Sequence, residues 1–234
     1  MNKKMIDKIF VCHHKPLIER KEKLQKFFVE NGIDVEWVDG FLPEDIENQY
    51  DKIVGKDDLK INFSVPGVQQ NQYTLYENAG RIVTIPELSL YLKHQYCFQK
   101  QIEEKYDYIL ILEDDIILPD NFLEYLNFCM VEFINHQPKL DCLILGSCFG
   151  FKSQYIQPNK LVHYGPNQLT RCTHSMVFSL SASNKIIKNL YPINWPIDFK
   201  LNEIIIKEKL KVAWSEPSLQ QASHLNLDKS AIQL

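Results

Sequence analysis

Strands and helices alternate along this chain, and the alternation predicts an α/β fold with a mainly parallel central sheet and helices on both faces. Three observations carry that expectation. Ile109, Leu110, Ile111 and Leu112 form an unbroken apolar run, the pattern of a strand buried on both faces. Leu143, Ile144 and Leu145 repeat it. A strand–helix–strand unit opens the chain, as in a βαβ start. The 234 residues, 45% of them hydrophobic, are enough for one large domain with a sizeable core. A single domain over residues 1–234 is therefore expected.

The elements follow in order. Ile9, Phe10, Val11 and Cys12 read as the first buried strand. Leu24, Phe27 and Phe28 fall at helical spacing among charges, so residues 19–29 form an amphipathic helix, closed by Gly32 as a C-cap. Val35 to Val38 is the second strand, ending at Asp39 and Gly40. Residues 41–80 are polar and weakly periodic, a long variable excursion or lid of the functional kind rather than a second domain. Pro86 suits the first turn of a helix running to about Glu104, with Leu88, Tyr91, Leu92, Tyr96 and Phe98 on its apolar face. After the 109–112 strand come a helix at 121–134, a strand at 141–146, a strand at 174–180, a helix at 183–190, a short helix at 202–209 and a last strand at 211–214. The polar tail, residues 220–234, folds over the site or is partly disordered.

The chemistry concentrates where the 109–112 strand ends. Leu112 runs straight into Glu113, Asp114 and Asp115. Ligands of open α/β sheets bind beyond the carboxyl ends of such strands. Adjacent carboxylates repel unless a cation or a polar network offsets them. Oxygen ligands suit Mg²⁺ or Mn²⁺, which often bridge a protein carboxylate to a diphosphate. The plainer alternative is a strand end followed by a turn, with Asp115 or Asp120 capping a helix.

Bulk properties narrow the function. A net charge of −4 argues against a general nucleic-acid binder. There is no GxGxxG and no GxxxxGK[ST], which argues against dehydrogenase and P-loop chemistry. The six cysteines include no CxxC pair, so zinc-site spacing is absent and reduced, buried thiols are expected. The charged first residues show no signal peptide and no apolar span, from which a cytoplasmic location is expected, with peripheral membrane contact left open.

Several segments together resemble glycosyltransferase family 25, the lipooligosaccharide and collagen-type galactosyltransferases. They are the opening strand and basic loop from Ile9 to Arg20; Pro86-Glu87-Leu88-Ser89-Leu90-Tyr91-Leu92-Lys93-His94; Leu112-Glu113-Asp114-Asp115; Thr173 to Ser181; Pro196-Ile197-Asp198; and Glu216 to Gln221. The second segment departs from the family pattern, since Ser89, Leu90 and Lys93 stand where Gly, Cys and Ser are usual. Glu87 and His94 are its matching positions.

The resemblance implies a GT-A-like fold and a metal-dependent, inverting transferase. Such an enzyme moves a hexose, galactose first and glucose next, from a UDP-sugar to a hydroxyl of a glycan or a hydroxylated side chain. It also implies roles. Asp115 is the first choice for contact with Mn²⁺ (or Mg²⁺), joined by Glu113 and by His224 from the tail. Glu113 and Asp114 belong to the metal and nucleotide motif. Arg20 is a nucleotide or phosphate contact, or an ordinary charge in a first helical turn. Asp198 is the base that takes the acceptor proton, or the cap of the next helix. Glu87 and His94, on one helical face, orient the donor sugar or buttress the acids, or else form a buried polar pair. His174 faces the sugar or sits satisfied in the core. His13 and His14 face the expected cleft or form a polar loop. Trp195 is the one aromatic nominated as an acceptor platform. The rival from another class is a catalytically silent glycan-binding or scaffold module of the same fold.

Overall fold

The computed structural model describes residues 5–47, 83–147, 153–165, 169, 172–223, 225 and 227. Most of the 41–80 excursion and residue His224 lie outside them. The chain forms β1 (Lys8–Cys12), α1 (Ile18–Glu30), β2 (Glu36–Val38) and a short α2 (Pro43–Glu47). Then come α3 (Ile85–Glu104), β3 (Tyr108–Glu113), β4 (Ile116–Ile117) and α4 (Phe122–Asn135). β5 (Cys142–Gly146), β6 (Val162–Tyr164), β7 (Ser175–Ser179), α5 (Leu180–Ile187), α6 (Ile197–Lys207) and β8 (Val212–Gln221) complete it.

One sheet holds the strands in the order β2-β1-β3-β7-β5-β8-β4, with β6 also paired to β8. β1 runs parallel to β2 and β3, and β5 parallel to β8. β7 lies antiparallel between β3 and β5, and β4 and β6 are antiparallel to β8. The sheet is therefore mixed, and the expected mainly parallel character is corrected. An apolar run shows that a strand is buried on both faces; it carries no sign of strand direction.

Double-sided burial is observed. Ile109 and Ile111 enter the core shared with Leu88, Tyr91, Phe98, Ile186 and Leu201 from α3, α5 and α6. Leu110 and Leu112 enter the opposite core, with Leu24 and Phe28 of α1 and Phe122, Leu126 and Met130 of α4. The period of two along β3 thus sorts its side chains between two helical layers.

The local signals explain the edges of these elements. Thr84 caps α3 and exchanges a capping box with Glu87, and proline stands in the first turn. At the end of α1, Gly32 adopts φ +63°, its amide donates to Val29 and that of Ile33 to Phe28, a Schellman ending. Gln101 binds the ends of three elements together. Its amide nitrogen donates to the carbonyls of Tyr106 and Phe178, and its oxygen accepts from Ser183 Oγ at 2.5 Å.

Four cysteines, Cys12, Cys97, Cys129 and Cys142, are buried and free, as expected. Cys172 is disulfide-bonded, which corrects the expectation of reduced thiols at that position. Among the described residues no helix is long and apolar enough to cross a membrane.

Candidate functional site

The carboxyl ends of β1 and β3 are neighbours because Cys12 pairs with Glu113 in the parallel register. Chain leaving both strands therefore meets at one edge, next to the first turns of α3. An open cavity of about 320 Å³ lies there. Cys12, His13 and His14 line it from the β1 end, Arg20 from α1, and Glu113, Asp114 and Asp115 from the β3 end. Ser89, Leu90 and Lys93 of α3 and Gln221 of β8 close the rest.

The three acids face three ways. Glu113 still belongs to the strand, its amide donating to the carbonyl of His174, and its carboxylate accepts from Thr173 Oγ1 at 2.6 Å. Asp114 stands in the turn that follows β3 and has other partners. Its carboxylate accepts from the Arg20 guanidinium at 2.9 Å and the His14 amide at 2.9 Å, and it lies 2.8 Å from His13 Nδ1. Asp115 accepts from Gln221 Nε2 at 2.9 and 3.0 Å.

The electrostatics follow from these partners. Burial alone would raise Asp114, but the hydrogen bonds from His13, His14 and Arg20 outweigh it and its pKa lies below the usual value. Glu113 behaves oppositely. Burial, and next the charge of Asp115, push its carboxyl up to about 8, with Asp114 and Asp198 adding to the rise. Glu113 is thus an acid of the cavity wall whose charged form its surroundings disfavour. His14 is lowered by burial and then by the charge of Lys93.

Most of the chain, residues 6–201, matches the family model for glycosyltransferase family 25 (LPS biosynthesis protein). The chain belongs to this family. Membership supports a transferase of sugars, a role that implies a sugar donor and a glycan acceptor as partners. No curated protein matches the chain. Among solved structures it is similar to a glycosyltransferase involved in the glycosylation of the major capsid of PBCV-1. The two are 12% identical, with 89% of this chain and 81% of that one covered, at a TM-score of 0.42.

Several residues expected at a family 25 site do gather at the cavity: Arg20, Glu113, Asp114 and Asp115. Arg20 does so as the partner of Asp114. Asp198 stands in the first turn of α6 and accepts the amide of Phe199 at 2.9 Å. It does not line the cavity, yet its charge reaches Glu113.

Others stand elsewhere. The Glu87 carboxylate accepts from the amide and the hydroxyl of Thr84 at 2.8 and 2.9 Å, in the capping box and off the cavity lining. His94 is wholly buried beside Phe98, with no partner on either ring nitrogen among the described residues, and its pKa is pushed down to about 3 by burial. His174 packs its ring against Gly146, with Nε2 3.2 Å from the carbonyl of Leu219, again away from the cavity. Trp195 is buried and stacks on Phe199 at 5.9 Å, so the expected acceptor platform is corrected to a packing residue. His224 lies outside the described residues.

Lys93, Ser89 and Gln221 had no expected role and line the cavity. Helical spacing does carry the first two there: Ser89 and Lys93 are four apart, one turn of one face. Gln221 could not be read from sequence, because only the pairing of Ile116 with Gln221 brings it beside Asp115.

The donor set can be tested against a divalent cation. Among the described residues no three His, Cys, Asp or Glu side chains converge on one point. Glu113 and Asp115, though, are an all-oxygen pair whose mutual repulsion a cation would relieve. Mg²⁺ and Mn²⁺ commonly use one or two carboxylates and complete their shell with substrate phosphates and water. The residues fit an ion held jointly with a diphosphate, not a closed protein cage.

Proposed function

We propose that this family 25 protein moves a hexose, galactose first and glucose next, from a UDP-sugar to a hydroxyl of a glycan or a hydroxylated side chain, with inversion. Family membership supports glycosyl transfer. The observation that carries the finer reading is that Glu113 and Asp115 line one cavity, where burial and then the charge of Asp115 disfavour the ionised form of Glu113. Those two residues would hold Mn²⁺ or Mg²⁺, which supplies Lewis-acid stabilisation of the departing diphosphate.

The chain's own groups have separate tasks in this reading. Gln221 orients the Asp115 carboxylate and Thr173 that of Glu113. Arg20, His13 and the His14 amide neutralise Asp114 and so fasten the β1–α1 loop against β3, which shapes the cavity wall. Asp198 takes the acceptor's hydroxyl proton as that oxygen bonds to the anomeric carbon and the bond from that carbon to the phosphate oxygen breaks. Asp198 stands in the first turn of α6, in the Pro196-Ile197-Asp198 segment that resembles the family's.

UDP release from a panel of UDP-sugars, with Mn²⁺ or with EDTA, tests the reading. Release is expected with Mn²⁺, fastest from UDP-galactose, and Asp115→Ala is expected to lower it about 100-fold or more while the fold survives. Full release in EDTA would remove the metal from the account. No release from any UDP-sugar would favour a silent module.

A further inference from the structure

Among the described residues two lysines are buried. Lys200, 2% exposed, sits 3.0 Å from Asn194 Oδ1 and 3.3 Å from Glu203 Oε2, so a carboxylate faces its charge. Lys93, 3% exposed, has no such partner among the described residues. Its ammonium donates to Ser89 Oγ at 2.8 Å. The Ser89 hydroxyl in turn donates to the carbonyl of Phe41 at 2.5 Å, so its oxygen is oriented toward the ammonium. An ammonium carries three donors, and one is accounted for here.

Burying a charge without a counter-charge is unfavourable. Burial accordingly lowers the pKa of Lys93. Its nearest carboxylate influences, Asp114 and Asp39, are each committed elsewhere: Asp114 to Arg20 and His13, Asp39 to Lys21 at 2.9 Å. The ammonium nevertheless lines the cavity that the β3 acids also line. A cation kept dry and uncompensated on a cavity wall is stabilised when an anion enters that cavity.

We propose that Lys93, held by Ser89, binds a phosphate of the donor's diphosphate directly, so that this enzyme grips a nucleoside diphosphate partly without metal. The inference rests on the nucleotide-donor reading above. A diphosphate entering the cavity meets a fixed cation on the α3 side and the Glu113–Asp115 pair on the β3 side. Only the second side requires a divalent ion. The remaining Lys93 donors satisfy phosphate oxygens, in charge-assisted hydrogen bonds of the stronger kind. Lys93 is therefore a binding residue of the site, contributed by the turn of α3 that also carries Ser89.

The test is calorimetric titration of UDP and of uridine into the wild type and Lys93→Met, in EDTA and again with Mn²⁺. Met matches the length and apolar character of the lysine stem. Removing an unpaired buried charge is expected to leave the melting temperature unchanged or higher, so the variant reports binding rather than folding. In EDTA the wild type is expected to bind UDP at least tenfold more tightly than uridine. Lys93→Met is expected to lose about tenfold for UDP and nothing for uridine. Equal UDP affinity of the two proteins in EDTA would overturn the role of Lys93 and leave the donor reading standing. If wild type binds UDP in neither EDTA nor Mn²⁺, the donor reading falls and this inference falls with it. A Lys93→Met protein that melts well below wild type would also overturn it, because the lysine would then be a structural partner rather than a waiting one.

Discussion

His94 shows how a single side chain can match a family motif and still answer to packing. Its ring is wholly buried among apolar neighbours with both nitrogens unpartnered among the described residues, and burial, then Lys93, pushes its pKa down to about 3. The folded chain therefore keeps it neutral, while an unfolded imidazole takes a proton near pH 6.5. Its contribution to stability is intact above pH 6.5 and falls as the pH drops from there toward 3, by about 1.4 kcal/mol per pH unit. Glu113 opposes it over part of that range. Its carboxyl is protonated in the folded chain up to about pH 8 but ionises from 4.5 when unfolded, so its contribution declines as pH rises between them. His94→Leu is expected to raise stability at pH 7 by about 1 kcal/mol, by removing a polar group that burial strips of water. It is also expected to flatten the acid limb, as followed by urea denaturation from pH 4 to 8. A loss of stability with an unchanged acid limb would mean that the ring has partners worth keeping. Neither His94 nor Glu87 could be told apart from site residues by sequence, because burial and capping use the same polar side chains as chemistry. That the three acids stand together at the end of a buried strand was legible, because the apolar run leads straight into them.

At the scale of elements, the strongest periodicities coincide with observed elements. The apolar run of β3 and the proline-led start of α3 both stand where sequence placed them. What was not legible is pairing. β7 is antiparallel, and the short β4 and β6 exist only because β8 offers them a partner. The helix expected at 202–209 begins at Ile197, because Pro196 can stand at its N-cap and so does not delay it. β8 runs to Gln221, well past the expected end at Trp214, and its register with β5 shifts between Trp214 and Leu219. Gly146 faces that shift. A Cβ there would stand 2.2 Å from His174 Nε2, whose ring is also held at the carbonyl of Leu219. Gly146→Ala is expected to cost about 1–3 kcal/mol, because the ring is wedged and cannot swing aside. Adding His174→Ala should recover part of that loss, as a thermodynamic double-mutant cycle would measure. Additive losses would show that the two positions do not press on one another.

For the whole molecule, the fold is a device for bringing strand ends together. Two apolar cores clamp the sheet from either side, and the parallel register of β1 with β3 fixes His13 and Arg20 against Asp114. The antiparallel return of β8 delivers Gln221 to Asp115, and α3 supplies Lys93 to the facing wall. Burial and the charge of Asp115 disfavour the ionised form of Glu113, which a cation nearby would favour. In the proposed function a divalent cation, arriving with the donor's diphosphate, supplies that charge. Crystals grown with UDP and MnCl₂, measured at the manganese absorption edge, test that most directly. The expected result is one anomalous peak in contact with Asp115, Glu113 and the diphosphate. A bound UDP with no anomalous peak beside those two carboxylates would contradict it.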